Sequence, residues 1–363
     1  MTHAQAGLDI ASWLQDEVPP DHPLTTKEGW GEFVRHSLEP PTLLTQQQLL
    51  ALTPALQAAD AAARRNYHAD LPLVNTPIIK QLLSTGRLLI QLNRKQISAR
   101  CGCIVSGASG TGKTTALTQL GRAHELAIRN RYPQDGHRLP VIYVTVPMAS
   151  TPRMLAVEFA RFFGLEFSAR ANLTDIVNAV CHLAAHTHVD LVLVDEIHNI
   201  SLATRSGAET SDQLKYFAER IRATFFLAGV EVEAQGLFAG PRGRQIAGRF
   251  TVIPSTQFAY GTVQQREDWK ALVATMETML RLREHGPGTL ANMAENLYQR
   301  SGGAIGSLSQ LIRGAAVLAI EHGTERITDN LLDLVPVDFA AHTAYTTAKT
   351  RAAKPRTADA EAV

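Results

Sequence analysis

The stretch "GASGTGKT" at 107–114 limits the fold more than any other part of the chain, because it fits the pattern G-x-x-x-x-G-K-[ST]. The apolar segment "CGCIVSG" precedes it, and the helical segment "GKTTALTQLGRAHELAIRN" follows it. Glycine lets backbone N–H groups converge on an anion without clashes from Cβ atoms, and the N-terminus of a helix attracts negative charge. A strand, this loop and a helix in that order predict a phosphate-binding loop.

The residues of this loop have separate predicted roles. Lys113 is expected to reach the β and γ phosphates of a nucleotide and to act in catalysis, and the Thr114 hydroxyl is expected to bind Mg²⁺. The residues predicted to hold the nucleotide are Gly107, Ala108, Ser109, Gly110, Thr111, Gly112, Lys113, Thr114 and Thr115.

Apolar segments with strand character alternate with helical segments through the middle of the chain. The strand candidates are 101–107, 141–147, 189–196, 224–229 and 249–254. This alternation predicts an α/β fold in which helices cover both faces of a parallel sheet. After about residue 258 the strand signals stop, and three helical segments predict a small helical domain after the sheet.

The chain is predicted to have four regions. They are an N-terminal helical extension at 1–75, a nucleotide-binding core at 76–257, a helical lid at 258–335 and a disordered tail at 336–363. The formal net charge of +1 provides no global electrostatic reason to expect nucleic acid binding. Three cysteines, no secretory leader and no run of the roughly 18 apolar residues that a membrane span requires predict a cytoplasmic protein.

An acidic pair ends the third strand candidate, in "LVLVDEIHN" at 191–199. In proteins with a phosphate loop, a carboxylate at the end of a neighbouring strand holds Mg²⁺, and we assign this role to Asp195. Glu196 is predicted to point towards the γ-phosphate and to act as the general base for the attacking water. Asn199 is expected either to hold Glu196 or a DNA-facing loop in position, or to cap the next turn.

Three other interpretations receive less support. A GTPase needs an N-K-x-D motif, which we do not find. "DEIH" resembles the box of DExH helicases, but the chain after it is too short and too helical for their second nucleotide-binding-like domain. "CHLAAHTHVD" at 181–190 places Cys181, His182, His186 and His188 close together, yet it lacks the glutamate of H-E-x-x-H, so a solvated helix end is favoured over a metal site.

The segments "VIYVTVPMASTPRML", "LVLVDEIHNI", "QIAGRF" and "SGGAIGSLSQLIRGAAVLAIEHGTERIT" follow one another in an order that resembles the AAA+ class. Within that class they resemble the TniB family of transposition ATPases, which is related to the Mu B and IstB-like proteins. The resemblance covers about residues 76–335. It implies an enzyme that binds ATP and Mg²⁺, forms a ring or filament of its own copies on duplex DNA, and activates or targets a transposase or integrase-like partner, without a membrane.

The resemblance also carries over individual residues. Arg249 in "QIAGRF" stands where an arginine finger reaches the γ-phosphate of a neighbouring subunit, with Arg242 and Arg244 as alternatives. The chain departs from the family at two places. Val230 occupies the position of a water-orienting threonine, so either Glu231 or Glu233 substitutes for it or this sensor is weak. The lid offers no arginine at the usual point, since Arg313 lies two turns later. Slow hydrolysis is therefore expected.

Two stretches of the sequence contain candidate DNA contacts. Basic residues cluster in "GRAHELAIRNRYPQDGHR", and Arg153 ends the loop "MASTPR" after Ser150 and Thr151. The clustered residues are Arg122, Arg129, Arg131 and Arg138. Such groups either track DNA phosphates or form ordinary solvated surface. A helicase-loader-like replication ATPase and an ATP-driven switch for a protein partner remain alternative functions.

Overall fold

The computed structural model describes residues 22–201, 204–234 and 248–338, together with Ala341, Thr343 and Tyr345. Arg242 and Arg244, and most of the predicted tail at 336–363, lie outside the described residues.

Five strands form one parallel sheet in the order β2-β3-β4-β1-β5. They are β1 Gly102–Ser106, β2 Val141–Thr145, β3 Leu191–Asp195, β4 Thr224–Gly229 and β5 Phe250–Pro254. All five predicted strands are confirmed, with bounds that differ by at most two residues. Because the strands are parallel, their carboxyl ends lie along one edge. The loop after β1 and the acidic pair at the end of β3 therefore flank the end of β4.

Within residues 22–201, 204–234 and 248–254, four α-helices precede the sheet and four connect its strands. The preceding helices are α1 Lys27–Arg35, α2 Gln46–Leu50, α3 Pro54–Ala69 and α4 Pro77–Asn93. The connecting helices are α5 Lys113–Arg131, α6 Pro152–Phe162, α7 Leu173–His186 and α8 Arg205–Arg220. Local sequence explains several starts. In α3, α4 and α6 a threonine side chain accepts a hydrogen bond from a first-turn N–H, and proline follows the threonine directly.

The helix α1 belongs to the core around the sheet. Trp30 is 1% exposed, and its ring stacks on Tyr143 of β2 with centroids 5.8 Å apart. Its indole N–H donates to Glu125 Oε2 on α5 at 2.5 Å, which satisfies both buried polar groups.

A second hydrophobic core lies in the helices after β5. They are α9 Val263–Thr278, α10 Thr289–Asn292, α11 Ala294–Ser301, α12 Ile305–Glu321 and α13 Asp329–Leu334. Trp269, Leu308 and Ile312 are fully buried there, and Ala61 of α3 packs against the same core. The predicted helical domain after the sheet is confirmed.

Buried ion pairs also attach α3 to this helical domain. Arg64 donates to both oxygens of Glu325 at 2.8 Å and to Asp60 Oδ2 at 3.0 Å. Arg283 donates to the same two carboxylates, at 2.6 Å to Glu325 and 2.5 Å to Asp60. The predicted extension at 1–75 is described only from residue 22, and this part is shared between two cores, with α1 on the sheet and α3 on the lid. Its boundary at residue 75 stays a prediction.

Within the described part of the chain, no single helix is both long and apolar enough to cross a membrane. The helices α11 and α12 meet the criteria of length and composition only as a pair, bent by 119°.

Candidate phosphate-binding site

The loop between β1 and α5 has a backbone that requires glycine at three positions. Gly110 and Gly112 have φ angles of 73° and 87°, in the left-handed region that residues with a Cβ atom rarely adopt. A Cβ atom on Gly107 would lie 1.9 Å from the carbonyl oxygen of Ser255. The loop therefore winds tightly and ends at the N-terminus of a 19-residue helix, where unsatisfied N–H groups and the helix dipole favour an anion.

Ser255, directly after β5, holds the phosphate loop through hydrogen bonds. Its backbone N–H donates to Ser106 O at 2.7 Å, and its hydroxyl lies 3.0 Å from Thr111 Oγ1. The Thr111 hydroxyl in turn donates to Ala108 O at 2.9 Å. Sequence analysis did not identify Ser255, because its role depends on the pairing of β1 with β5.

Lys113 is the first residue of α5, and it is buried. Its ammonium group donates to Ala108 O at 2.6 Å, which leaves two N–H donors for other acceptors. Burial lowers the pKa of Lys113, whereas the negative charges of Asp195 and Glu196 act in the opposite direction. The structure thus brings the lysine of the loop and the acidic pair into one electrostatic environment.

Asp195 ends β3 and is 3% exposed. The Tyr143 hydroxyl donates to its Oδ2 at 3.1 Å, and the Glu196 N–H donates to its Oδ1 at 2.8 Å. Burial, followed by the charge of Asp195, raises the pKa of Tyr143, so this hydroxyl remains a donor. The oriented carboxylate of Asp195 and the exposed hydroxyl of Thr114 are oxygen groups of the kind that Mg²⁺ prefers as ligands.

Glu196 has a φ of 58°, which is uncommon for a residue with a side chain. Its side chain is 42% exposed and lines the cleft above the loop. The Nε2 atom of His198 lies 3.2 Å from Glu196 Oε2. A strained backbone of this kind is often found at functional sites.

Asn199 neither binds the Glu196 side chain nor caps the next helix, which begins after Thr204. Its amide donates to Val146 O at 2.9 Å. It therefore holds the segment that leaves β2 towards Met148, and the predicted role of this segment as a DNA-facing loop stays a prediction.

The end of β4 presents an apolar side chain to the site. Val230 follows β4 directly and lines the cleft. Glu231 is exposed and has a left-handed backbone with a φ of 43°, and Glu233 accepts a hydrogen bond from the Ser106 hydroxyl. Neither glutamate is among the residues that line the cleft, so the structure does not place the suggested substitutes there.

The lid and the segment before α4 close the cleft, which has a volume of about 390 Å³. The Gly306 N–H points at Gly110 O at 3.4 Å, so the lid contacts the phosphate loop. Arg313 of α12 lines the cleft although it lies two turns beyond the expected position, and it makes no ion pair within the described residues. Leu71, Val74 and Ile79 line the opposite side. The sequence did not indicate that Leu71, Val74 and Ile79 form this side of the cleft, and it left the direction of the Arg313 side chain open.

Arg249 lies at the amino end of the strands, opposite to the end that carries the phosphate loop. It immediately precedes β5, its carbonyl accepts from Gly102 N at 2.9 Å, and its guanidinium binds Glu219 at 3.1 Å. A strand of five residues spans roughly 16 Å, which separates Arg249 from the loop at the carboxyl end of β1 in the same chain.

The predicted basic residues are mostly engaged with their own chain. Arg129 pairs with Glu125 and Arg138 pairs with Asp135, while Arg122 donates to His36 O at 2.6 Å. Arg153 donates to three carbonyls at 168–171, and Arg131 lies over the Tyr132 ring.

The histidine segment shows no metal geometry. His182 and His186 stack with ring centroids 6.4 Å apart. Across the ranges that the structure describes, no group of three or more His, Cys, Asp or Glu side chains is arranged to hold a metal ion.

Comparisons with known proteins agree with this geometry. Residues 97–238 match the family model described as AAA domain. The fold resembles that of the Aeropyrum pernix ORC1 protein in complex with DNA, with a TM-score of 0.55 and 15% identity over 77% of this chain and 67% of that one. It also resembles the Aeropyrum pernix ORC2 protein in its ADPNP-ADP complexes, with a TM-score of 0.53 and 16% identity over 74% and 67% of the two chains. No curated protein matches the chain. Residues 97–238 are therefore similar to an AAA domain, and the chain shares with these structures a parallel sheet flanked by helices and followed by a helical region.

Proposed function

We propose that this protein is an ATPase that binds Mg-ATP, assembles on duplex DNA and directs a partner transposase. The observation that carries the proposal is the single cleft in which the phosphate loop, Glu196 and Arg313 meet.

Nucleotide binding follows from the groups around this cleft. The N–H groups at the start of α5 and the Lys113 ammonium bind the phosphates, and Arg313 adds positive charge from the lid. Thr114 and Asp195 hold the ion, which neutralises charge on the β and γ oxygens when it is bound. The similar ORC2 protein was solved in ADPNP-ADP complexes, which supports nucleotide as the ligand of a site on this fold.

Hydrolysis requires a base and a stabilised transition state. Glu196 accepts the proton of the attacking water, and Arg249 of one subunit reaches the nucleotide of the next. The position of Arg249 across the sheet from its own loop supports a contact between subunits. Because Val230 presents no polar side chain at the end of β4, we expect slow turnover.

The DNA contact is assigned to a different surface from the one that the sequence suggested. A cleft of about 320 Å³ at the amino edge of the sheet is lined by Arg94, Lys95, Arg100 and Arg222, with Asp190 as the acidic group. Burial and the positive charge of Arg222 lower the pKa of Arg100. The ORC1 structure was determined with DNA, which supports this class of ligand. The transposase partner rests on the resemblance to TniB proteins.

The test is sedimentation of the protein with duplex DNA, with and without a non-hydrolysable ATP analogue, over a series of salt concentrations. We expect large complexes only when nucleotide and DNA are both present, with affinity that falls as salt rises. Arg222→Ala is expected to lower the salt slope by about 1, whereas Lys270→Ala on the distant lid leaves it unchanged. Assembly that needs no DNA would refute the DNA-directed function and favour an ATP-driven switch, and binding to a replicative helicase instead of a transposase would favour a loader.

A further inference from the structure

The ring of His198 connects the ends of two strands. Its Nδ1 atom accepts a hydrogen bond from the Val230 N–H, directly after β4, at 3.3 Å. Its Nε2 atom lies 3.2 Å from Glu196 Oε2, directly after β3. Both ring nitrogens therefore have partners, one from each of the strand ends that face the cleft.

These partners determine the position of the ring proton. A backbone N–H is a donor only, so Nδ1 must present its lone pair to Val230. The proton of the neutral ring then lies on Nε2, which is the ring atom 3.2 Å from Glu196 Oε2. One carboxylate oxygen of Glu196 is oriented by the ring, and the other oxygen remains available to accept a proton from water.

The backbone around His198 is held firmly. Ile197 is 1% exposed in the core, and Asn199 is bound to Val146 O. The turn at 197–199 also lies close to the end of β4. A Cβ atom added to Gly229 would lie 2.6 Å from the Ile197 side chain and 3.2 Å from the backbone nitrogen of His198. The ring is thus fixed to the scaffold, whereas the Glu196 side chain is 42% exposed and has the His198 ring beside one of its carboxylate oxygens.

We propose that His198 is a positioning residue that couples the end of β4 to the general base. The Val230 side chain offers no polar group to the cleft, but its N–H acts on Glu196 through the imidazole. A movement of the end of β4 then changes the orientation of the Glu196 carboxylate. This inference rests on the proposed hydrolysis of ATP by Glu196.

The test compares three substitutions of His198 in steady-state hydrolysis and in nucleotide binding. His198→Ala is expected to lower kcat on the order of 10- to 100-fold, because a misplaced base loses its alignment, with nucleotide Kd and KM within about twofold of the wild type. His198→Gln offers a terminal amide that donates to Glu196 and accepts from Val230, so it is expected to recover most of kcat. His198→Asn is the matched control, because its shorter amide binds Val230 but does not reach Glu196, and its kcat should stay low.

The outcomes separate this inference from the proposed function. If the wild type hydrolyses no ATP, or if Glu196→Gln retains normal turnover, the proposed function fails and the inference fails with it. If Glu196→Gln abolishes turnover while His198→Ala keeps the wild-type kcat, the coupling role alone is wrong. An equal fall of kcat in His198→Gln and His198→Ala would also overturn the coupling role, and so would a change of KM without a change of kcat. If the alanine variant does not fold, the kcat values of His198→Gln and His198→Asn decide whether the coupling role holds. Independently, nitrogen NMR that shows the ring proton on Nδ1 would contradict this role.

Discussion

The substitution Glu325→Gln tests whether α3 is part of the lid. The two oxygens of Glu325 accept four hydrogen bonds: two from the Arg64 guanidinium at 2.8 Å, one from Arg283 Nη1 at 2.6 Å and one from Arg283 N at 3.2 Å. Each oxygen accepts two of them. Glutamine keeps one oxygen, so in either orientation two donors lose their acceptor and face an NH₂ group.

The expected cost follows from this count. A buried hydrogen bond to a charged group contributes about 1.5–3 kcal/mol, so the loss of two costs at least about 3 kcal/mol. Removal of one partner from a buried ion pair gives a similar value of about 3–5 kcal/mol. The side chains of Arg64 and Arg283 are 2% and 7% exposed, so water does not replace the lost acceptor.

Hydrogen exchange of the peptides that cover α3 and α12 measures the effect without requiring a single unfolding transition. Because about 1.4 kcal/mol corresponds to a factor of ten, amides in both helices should exchange at least about 100-fold faster in the variant. Glu267→Gln is the control, since its pair with Lys270 in the lid is exposed and should change exchange less than threefold. If Glu325→Gln accelerates exchange in α3 no more than Glu267→Gln does, the ion pairs do not hold α3 on the lid, and our reasoning is wrong.

Three other predictions concern the site and the pH dependence of stability. Glu196→Gln is expected to bind ATP with unchanged affinity, which calorimetry measures, and to accumulate assembled complexes, which sedimentation measures. Its kcat should fall by at least about 100-fold, and normal turnover would exclude Glu196 as the base. Arg249→Ala should leave nucleotide binding of the monomer intact and lower turnover on the order of a thousandfold, and mixing with Lys113→Ala subunits should restore part of it; a mixture without activity would contradict a contact between subunits. Burial lowers the pKa of His68 to about 4, from 6.5 in the unfolded chain, so below pH 6.5 the unfolded chain binds a proton that the folded chain does not. The free energy of unfolding should therefore fall as the pH drops from 6.5 towards 4, by about 2 kcal/mol at pH 5, and His68→Gln should show a weaker dependence in urea titrations.

The strands were predictable because their signals are local. Each strand is a short apolar run, and glycine or proline marks an end of β1, β2 and β5. The phosphate loop was predictable for the same reason, since its backbone demands glycine at fixed spacing. The pairing of Glu125 with Arg129 was also visible as an i, i+4 spacing, and it lowers the value of Arg129 as a DNA contact.

The rest of the site depends on contacts between distant parts of the chain. Ser255 reaches the loop only because β5 pairs with β1, and His198 meets Val230 only because β4 lies beside β3. The apolar pattern of a single strand does not predict which other strands pair with it. Arg313 was discounted by its spacing in the sequence, yet its place in the cleft is set by how α12 packs over Gly110 and Gly112.

The same packing joins the nucleotide site to the N-terminal helices. The lid contacts the phosphate loop through Gly306 and carries α3 on its far side through Glu325. The segment from Leu71 to Thr76 connects α3 to α4 and lines the cleft between them. A lid that closes on phosphates must therefore move α3 while α4 stays packed on α5 beside the sheet. The connecting segment has only a few residues to absorb that displacement. We therefore expect a change of nucleotide in the cleft to displace α3 together with the lid.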